Sequence, residues 1–185
     1  MKFSLKSNYD TFVKRLNSIP DIIDSTMQDA VSEVLQQMCE DMKAEILMNR
    51  QTWEQEGSIM ASLGLGQDIE YEVKGQTGTI YIGRNTPLIK MSDGKTVNPY
   101  LFIQFGFGIE GQANPIQYAA QRRWEYNVNQ HTKAWWFFGT DGKKHWTFGR
   151  IGIDFFYQVT NKYREKWKQI ALEAFDRKKR LLGGE

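Results

Sequence analysis

The chain has 185 residues, of which 41% are hydrophobic, 25% charged and 14% aromatic. This suits a single domain, residues 1–185, with a real core and excludes fibrous and disordered classes. Its 24 Lys and Arg against 22 Asp and Glu leave a formal charge of +2, far below the excess carried by a protein that coats nucleic acid. One cysteine, Cys39, rules out an intramolecular disulfide, and one Cys with two His makes no structural zinc site without several carboxylates. A reducing compartment fits this usage, and no metal or cofactor is expected. The first ten residues lack the apolar stretch of a secretory signal, and no segment approaches the roughly 18 consecutive apolar residues of a membrane span.

The near-neutral total hides an asymmetry. Residues 1–57 carry a net charge of −4 and residues 122–185 a net charge of +7. Either the two terminal regions pack together and attract, or each shows a solvated face, or the acidic region of one copy meets the basic cluster Lys178, Lys179 and Arg180 of the next.

In chain order, the strongest periodic element covers residues 18–49. Ile23, Met27, Ala30, Val31, Val34, Leu35, Met38, Met42 and Ile46 recur at three- and four-residue steps on one helical face. Ser18 as N-cap and Pro20 in the first turn set the expected start. Phe12, Val13, Leu16 and Ile19 suggest a shorter helix folding back before it. Gln51 to Gln67, with Gly57, Gly64 and Gly66, reads as a mobile loop.

A sheet core is expected over residues 68–110. Ile69 to Val73 and Thr79 to Gly83 form a hairpin about Gly75-Gln76-Thr77-Gly78. Ser92-Asp93-Gly94-Lys95 marks a turn, and Tyr100 to Phe105 is the most apolar strand candidate. Residues 111–134, rich in Gln and Asn, read as a polar surface insertion. Residues 135–149 form an aromatic hairpin turning at Asp141-Gly142. Asp154 then caps a C-terminal helix over residues 154–182, with Arg177 to Arg180 at its negative end. Helix, antiparallel hairpins and helix in that order make the class α+β.

No reaction chemistry stands out, and the protein is read as a non-enzyme. Cys39 lies on the buried face of a helix, where a thiol is inert, so pairing with His131 or His145 is disfavoured. His145 has no orienting carboxylate that the sequence places. Gly106-Phe107-Gly108-Ile109-Glu110-Gly111 mimics a dinucleotide fingerprint but lacks the parallel strand-helix context, so the glycines are read as serving the backbone. Glu70 and Glu72 sit on the solvated face of a hairpin. Trp124, Tyr126, Trp135, Trp136, Trp146 and Phe148, interleaved with Arg122, Arg123, Lys143 and Lys144, leave two readings. They stack single-stranded bases or sugars, or they close a small core and supply an intersubunit contact; the small net charge favours the second.

From Tyr100-Leu101-Phe102-Ile103-Gln104-Phe105-Gly106-Phe107-Gly108 onward the chain resembles the phage neck and tail-completion proteins of the HK-ninety-seven gene-product-ten family. There the family carries Tyr-Ala-x-x-Val-Glu-Phe-Gly-Thr-Gly. The similarity continues through Asn114-Pro115, Trp124 to Asn129, Trp135 to Phe138, Thr140 to Gly149 and Phe155-Phe156-Tyr157. Gln104 replaces the usual Glu and Phe107 the usual Thr. The resemblance implies a non-enzymatic virion part, made in the host bacterial cytoplasm, that joins head connector to tail tube as a homo-oligomeric ring of roughly six or twelve copies. It implies contacts with head-closure and tail-terminator or tube proteins, DNA passing through the ring, and no membrane. The interface expected on this basis comprises Phe102, Phe105, Phe107, Ile109, Trp135, Trp136, Lys178, Lys179 and Arg180.

Overall fold

The computed structural model describes residues 6–54, 57–90, 94, 96–113 and 133–183, without the side chains of residues 6–18, 112, 135 and 181–183. The class is α+β, as the sequence indicates. The readings that fall on Pro115, Arg122, Arg123, Trp124, Tyr126 and His131 lie outside the described residues, as does most of the expected polar insertion.

A single helix, α1 (Lys6–Met48), replaces the expected pair of helices. Pro20 lies inside it, so Ser18 and Pro20 do not mark its start. Proline cannot donate to the carbonyl four residues back, a defect costing about 3 kcal/mol in a helix interior. The packing of α1 from Thr26 onward offsets this: Thr26, Ala30, Cys39, Met42 and Ile46 are all buried.

The segment read as a mobile loop instead contains two short helices, α2 (Arg50–Trp53) and α3 (Ile59–Ser62). Trp53 is fully buried, and its indole Nε1 donates to the Ile46 carbonyl at 2.9 Å. That carbonyl is one of the last in α1, which have no partner of their own within the helix. Next come β1 (Ile69–Lys74) and β2 (Thr77–Ile82), paired antiparallel about a two-residue Gly75-Gln76 turn, tighter than expected. β3 (Ile89–Lys90) and β4 (Thr96–Val97) form a second, minimal pair.

Tyr100 to Phe105 is helix α4, not a strand. Five of its six residues are buried, and a short run buried on nearly every side carries no period to separate a buried helix from a buried strand. The preceding dipeptide decides. The Asn98 side chain accepts from the Tyr100 amide at 3.0 Å and donates to the Ile82 carbonyl at 2.9 Å, while Pro99 sits at φ −59°. The Tyr100 hydroxyl in turn accepts from the amides of Gly66 and Asp68, at 2.9 and 3.2 Å.

β5 (Gly106–Phe107) and α5 (Gly108–Ala113) follow, so the segment expected as one sheet is helices and short ladders. β6 (Trp135–Phe138) and β7 (Lys144–Thr147) form the aromatic hairpin as expected, and β8 (Gly149–Ile151) pairs with β5. Among the described residues there are four two-stranded sheets rather than one. Helix α6 (Phe155–Gly183) ends the fold.

The β5–β8 crossing explains the glycines that mimic a dinucleotide fingerprint. Gly106 (φ +79°) and Gly149 (φ +97°) are both in the left-handed region, and a Cβ on Gly106 would lie 2.5 Å from the Arg150 carbonyl oxygen. They admit close backbone contact, the role of a glycine rather than of a phosphate cradle.

The start of α6 corrects the expected cap. The Asp154 side chain accepts from Gln104 Nε2, while Gln104 Oε1 accepts from the Phe156 amide at 2.9 Å. Thus Gln104, fifty residues away, performs the side-chain capping predicted for Asp154. Burial pushes the Asp154 carboxyl above its ordinary range, the Gln104 hydrogen bond acting in the opposite sense. A raised carboxyl favours the fold only while protonated, so its contribution is full below the unfolded value near 3.8 and is lost as pH rises through the folded value. Asp154→Asn keeps the acceptor for Gln104 and suits the positive φ of 51°. Its thermal midpoint is expected above wild type at pH 7 and level with it at pH 3. An unchanged difference between the two pH values would contradict this account.

The main core lies where the C-terminal half of α1 meets α4 and the first half of α6: Met42, Ile46, Trp53, Ile69, Tyr100, Ile103, Phe155, Val159 and Tyr163 form one cluster. α1 and α6 run antiparallel, joined by Lys162–Asp41, Arg177–Glu33 and Lys178–Asp29 pairs. The Tyr163 hydroxyl donates to Asp41 Oδ2 at 2.9 Å, and burial, reinforced by that carboxylate, pushes the phenol up to about 12. Burial would raise the Asp41 carboxyl, but its bonds to Lys162 and Tyr163 outweigh this and hold it below the ordinary value. The opposite charges of the two terminal regions thus meet within one chain. Each exposed pair is worth at most about 1 kcal/mol, so they orient the helices more than they stabilise them.

Candidate interaction surface

The β6–β7 register places Trp136 opposite Trp146 and Phe138 opposite Lys144. Alternation then sends these four side chains to one face of the hairpin. That face is open: Trp136 is 53% exposed, Phe138 78%, Trp146 45%, and Phe148 just beyond β7 50%. Three of the rings meet in a row. Trp136 and Trp146 meet edge to face with centroids 4.5 Å apart, Trp146 meets Phe148 at 6.5 Å, and Lys144 Nζ lies 4.6 Å from the centre of the Trp136 ring.

The opposite face and the turn anchor the hairpin. Thr147 is buried, and Phe137 stacks on His145 with centroids 5.3 Å apart. His145 Nε2 lies 3.0 Å from both oxygens of Asp141. The orienting carboxylate that the sequence reading did not find is therefore four residues back across the turn. Asp141 also accepts from the Lys143 amide at 3.0 Å, and the histidine bond, followed by this one, holds its carboxyl below the ordinary range. The Thr140 amide donates to the Gly57 carbonyl at 2.9 Å. The imidazole packs so closely on Gly57 that a Cβ there would strike it. Asp141 and His145 thus clamp the turn and seat it on the segment between α2 and α3.

Cys39 is buried in the main core, its thiol pushed up chiefly by burial, and no hydrogen bond joins it to His145. Among the described residues no group of three or more His, Cys, Asp or Glu is placed to hold a metal ion, and no helix is long and apolar enough to cross a membrane.

The residues expected at an interface divide. Phe102 and Phe105 are buried, so in this chain they are core residues and not surface contacts. Phe107 is half-buried with its ring edge-on to Phe102 at 5.5 Å, and Ile109 is also half-buried. Lys178 lies 3.5 Å from Asp29 of its own chain, and Lys179 and Arg180 are exposed. Trp136 is on the open face, and the backbone of Trp135 is in the same strand. Phe138 was missed, although two-residue alternation from Trp136 would have found it.

The chain matches no protein-family model, no curated protein and no solved structure.

Proposed function

We propose that this chain is a structural virion protein of a tailed bacteriophage, forming a homo-oligomeric ring at the head-tail interface that joins the head connector to the tail tube. The observation that carries this reading is the open face of Trp136, Phe138, Trp146 and Phe148 on a hairpin clamped by Asp141, His145 and Gly57. A contiguous aromatic surface on a rigid support is what a protein contact uses, because rings supply large apolar area at little cost in side-chain entropy. The sequence resemblance of residues 100–157 supplies the setting.

The test is incorporation into particles. Trp136→Ala combined with Trp146→Ala is expected to lower incorporation into virions by at least about tenfold, since truncating buried aromatic anchors costs about 2 kcal/mol or more each. The melting temperature should stay within a few degrees of wild type, because both rings are half exposed in the isolated chain. Unchanged incorporation would contradict the assignment of this face. A second reading, stacking of single-stranded nucleic acid, draws support from Lys144 over Trp136 and from exposed Lys133 and Lys143. It instead predicts binding of single-stranded DNA that falls steeply with salt and is lost in the same variant.

A further inference from the structure

The face of α1 that packs into the fold continues toward the N-terminus as exposed apolar side chains. Thr26 and Ala30 are buried at 1% and 2% exposure. Going toward the N-terminus at steps of three and four, the same stripe reaches Ile23 and Ile19, each 45% exposed. α6 has five residues beyond Lys178, the partner of Asp29, roughly 8 Å, and the β1–β2 turn reaches Asp24 through Gln76 Nε2 at 3.0 Å, whereas α1 runs on for 18 residues before Asp24, roughly 27 Å of helix. The N-terminal part of α1 is therefore an arm bearing branched apolar side chains.

The same chain carries a groove of complementary character. Met27, Val31 and Leu35 of α1, Gly78 of β2, and Trp167 and Ala171 of α6 line an open, mainly apolar hollow of about 220 Å³. Trp167 remains 46% exposed at its edge. The arm cannot fill this hollow in its own chain, because arm and groove wall belong to one uninterrupted helix. Continuity with the α1–α6 interface and the presence of both halves on every copy point to the occupant.

We infer that the N-terminal arm of α1, through Ile19 and Ile23, docks in the α1–β2–α6 groove of a second copy. The contact is head-to-tail, and repetition of such a contact closes a ring when the rotation between copies allows it. The contact is apolar and separate from the charge contact expected of Lys178, Lys179 and Arg180, of which Lys178 also lies 3.5 Å from Asp29 of its own chain. This inference rests on the self-association in the proposed function, but it uses a different surface from the aromatic hairpin.

The experiment is native mass spectrometry of the full chain over a concentration series, with Ile19→Glu/Ile23→Glu as the arm variant and Trp167→Ala as the groove variant. Wild type is expected to associate, and each variant alone to weaken association by at least about tenfold, given that buried apolar anchors dominate such contacts. Both should keep the far-ultraviolet circular dichroism of wild type. Mixed together, the variants should form one-to-one dimers that grow no further, because one intact arm and one intact groove remain. Should Trp167→Ala not fold, hydroxyl-radical footprinting of wild type gives the same reading, with Trp167 and Met27 protected on association. Wild-type association in the arm variant, unprotected Trp167 in assembled wild type, or a wild-type chain that stays monomeric would each overturn the inference. The joining role is judged separately, by virion incorporation of the hairpin variant, and would survive the first two results.

Discussion

Trp53→Ala is expected to destabilise the fold by about 3–5 kcal/mol, the range for truncating a buried large aromatic. Two losses combine. The indole is 2% exposed within the main cluster, so its removal leaves a cavity between the end of α1 and the rest of the core. Its Nε1 also satisfies the Ile46 carbonyl, which would be left without that donor. Urea denaturation should show the midpoint fall with little change in slope. Trp53→Phe should recover most of the packing but not the hydrogen bond, leaving a deficit of about 1 kcal/mol or somewhat more. A loss below about 1 kcal/mol for the alanine variant would mean that Trp53 does not hold α2 in the core.

Gly149→Ala has the second large expected effect, about 2–5 kcal/mol. Its φ of +97° is unfavourable for any residue with a Cβ, and that Cβ would fall on the Phe107 carbonyl oxygen. The obstacle is backbone, so no side-chain rotation relieves it; strain and overpacking each contribute on the order of 1–3 kcal/mol. The Gly149 amide also donates to Thr147 Oγ1 at 3.0 Å, fixing the end of the aromatic hairpin. The variant should therefore lower the thermal midpoint and also increase amide exchange in β8 and at the end of β7. By contrast Gly142→Ala, which meets no atom within 4 Å but has φ +73°, should show only the backbone penalty, about 1 kcal/mol.

Local signals carried much of this architecture. The apolar spacing of α1 from Ile23 onward and the Asp141-Gly142 turn both report on contacts made close in sequence. So do the hairpin at Gly75 and the amphipathic α6, and all four are present. Tyr100 to Phe105 was not legible as a helix because a run buried on nearly every side has no period; the information lay in Asn98 and Pro99 just before it. Trp53 looked like part of a loop because its anchor, the Ile46 carbonyl, follows from where α1 ends. The capping of α6 by Gln104 spans 52 residues to Phe156, and no local pattern encodes it.

At the candidate surface, composition announced the aromatics but did not say which were outward. Alternation in β6 and β7 sorts them, with Trp136, Phe138 and Trp146 open and Phe137 packed on His145. Phe102 and Phe105 looked like equally good contacts until α4 turned them into the core. The opposite charges of the terminal regions meet in part within one chain, where Arg177 faces Glu33 and Lys178 faces Asp29.

Joining head to tail is the role proposed for this protein. Its most direct test is electron microscopy of the particles made when its gene is interrupted. The account predicts filled heads and complete tails accumulating separately, with infectivity restored when purified full-length protein is added back. Intact, infectious virions in its absence would contradict it.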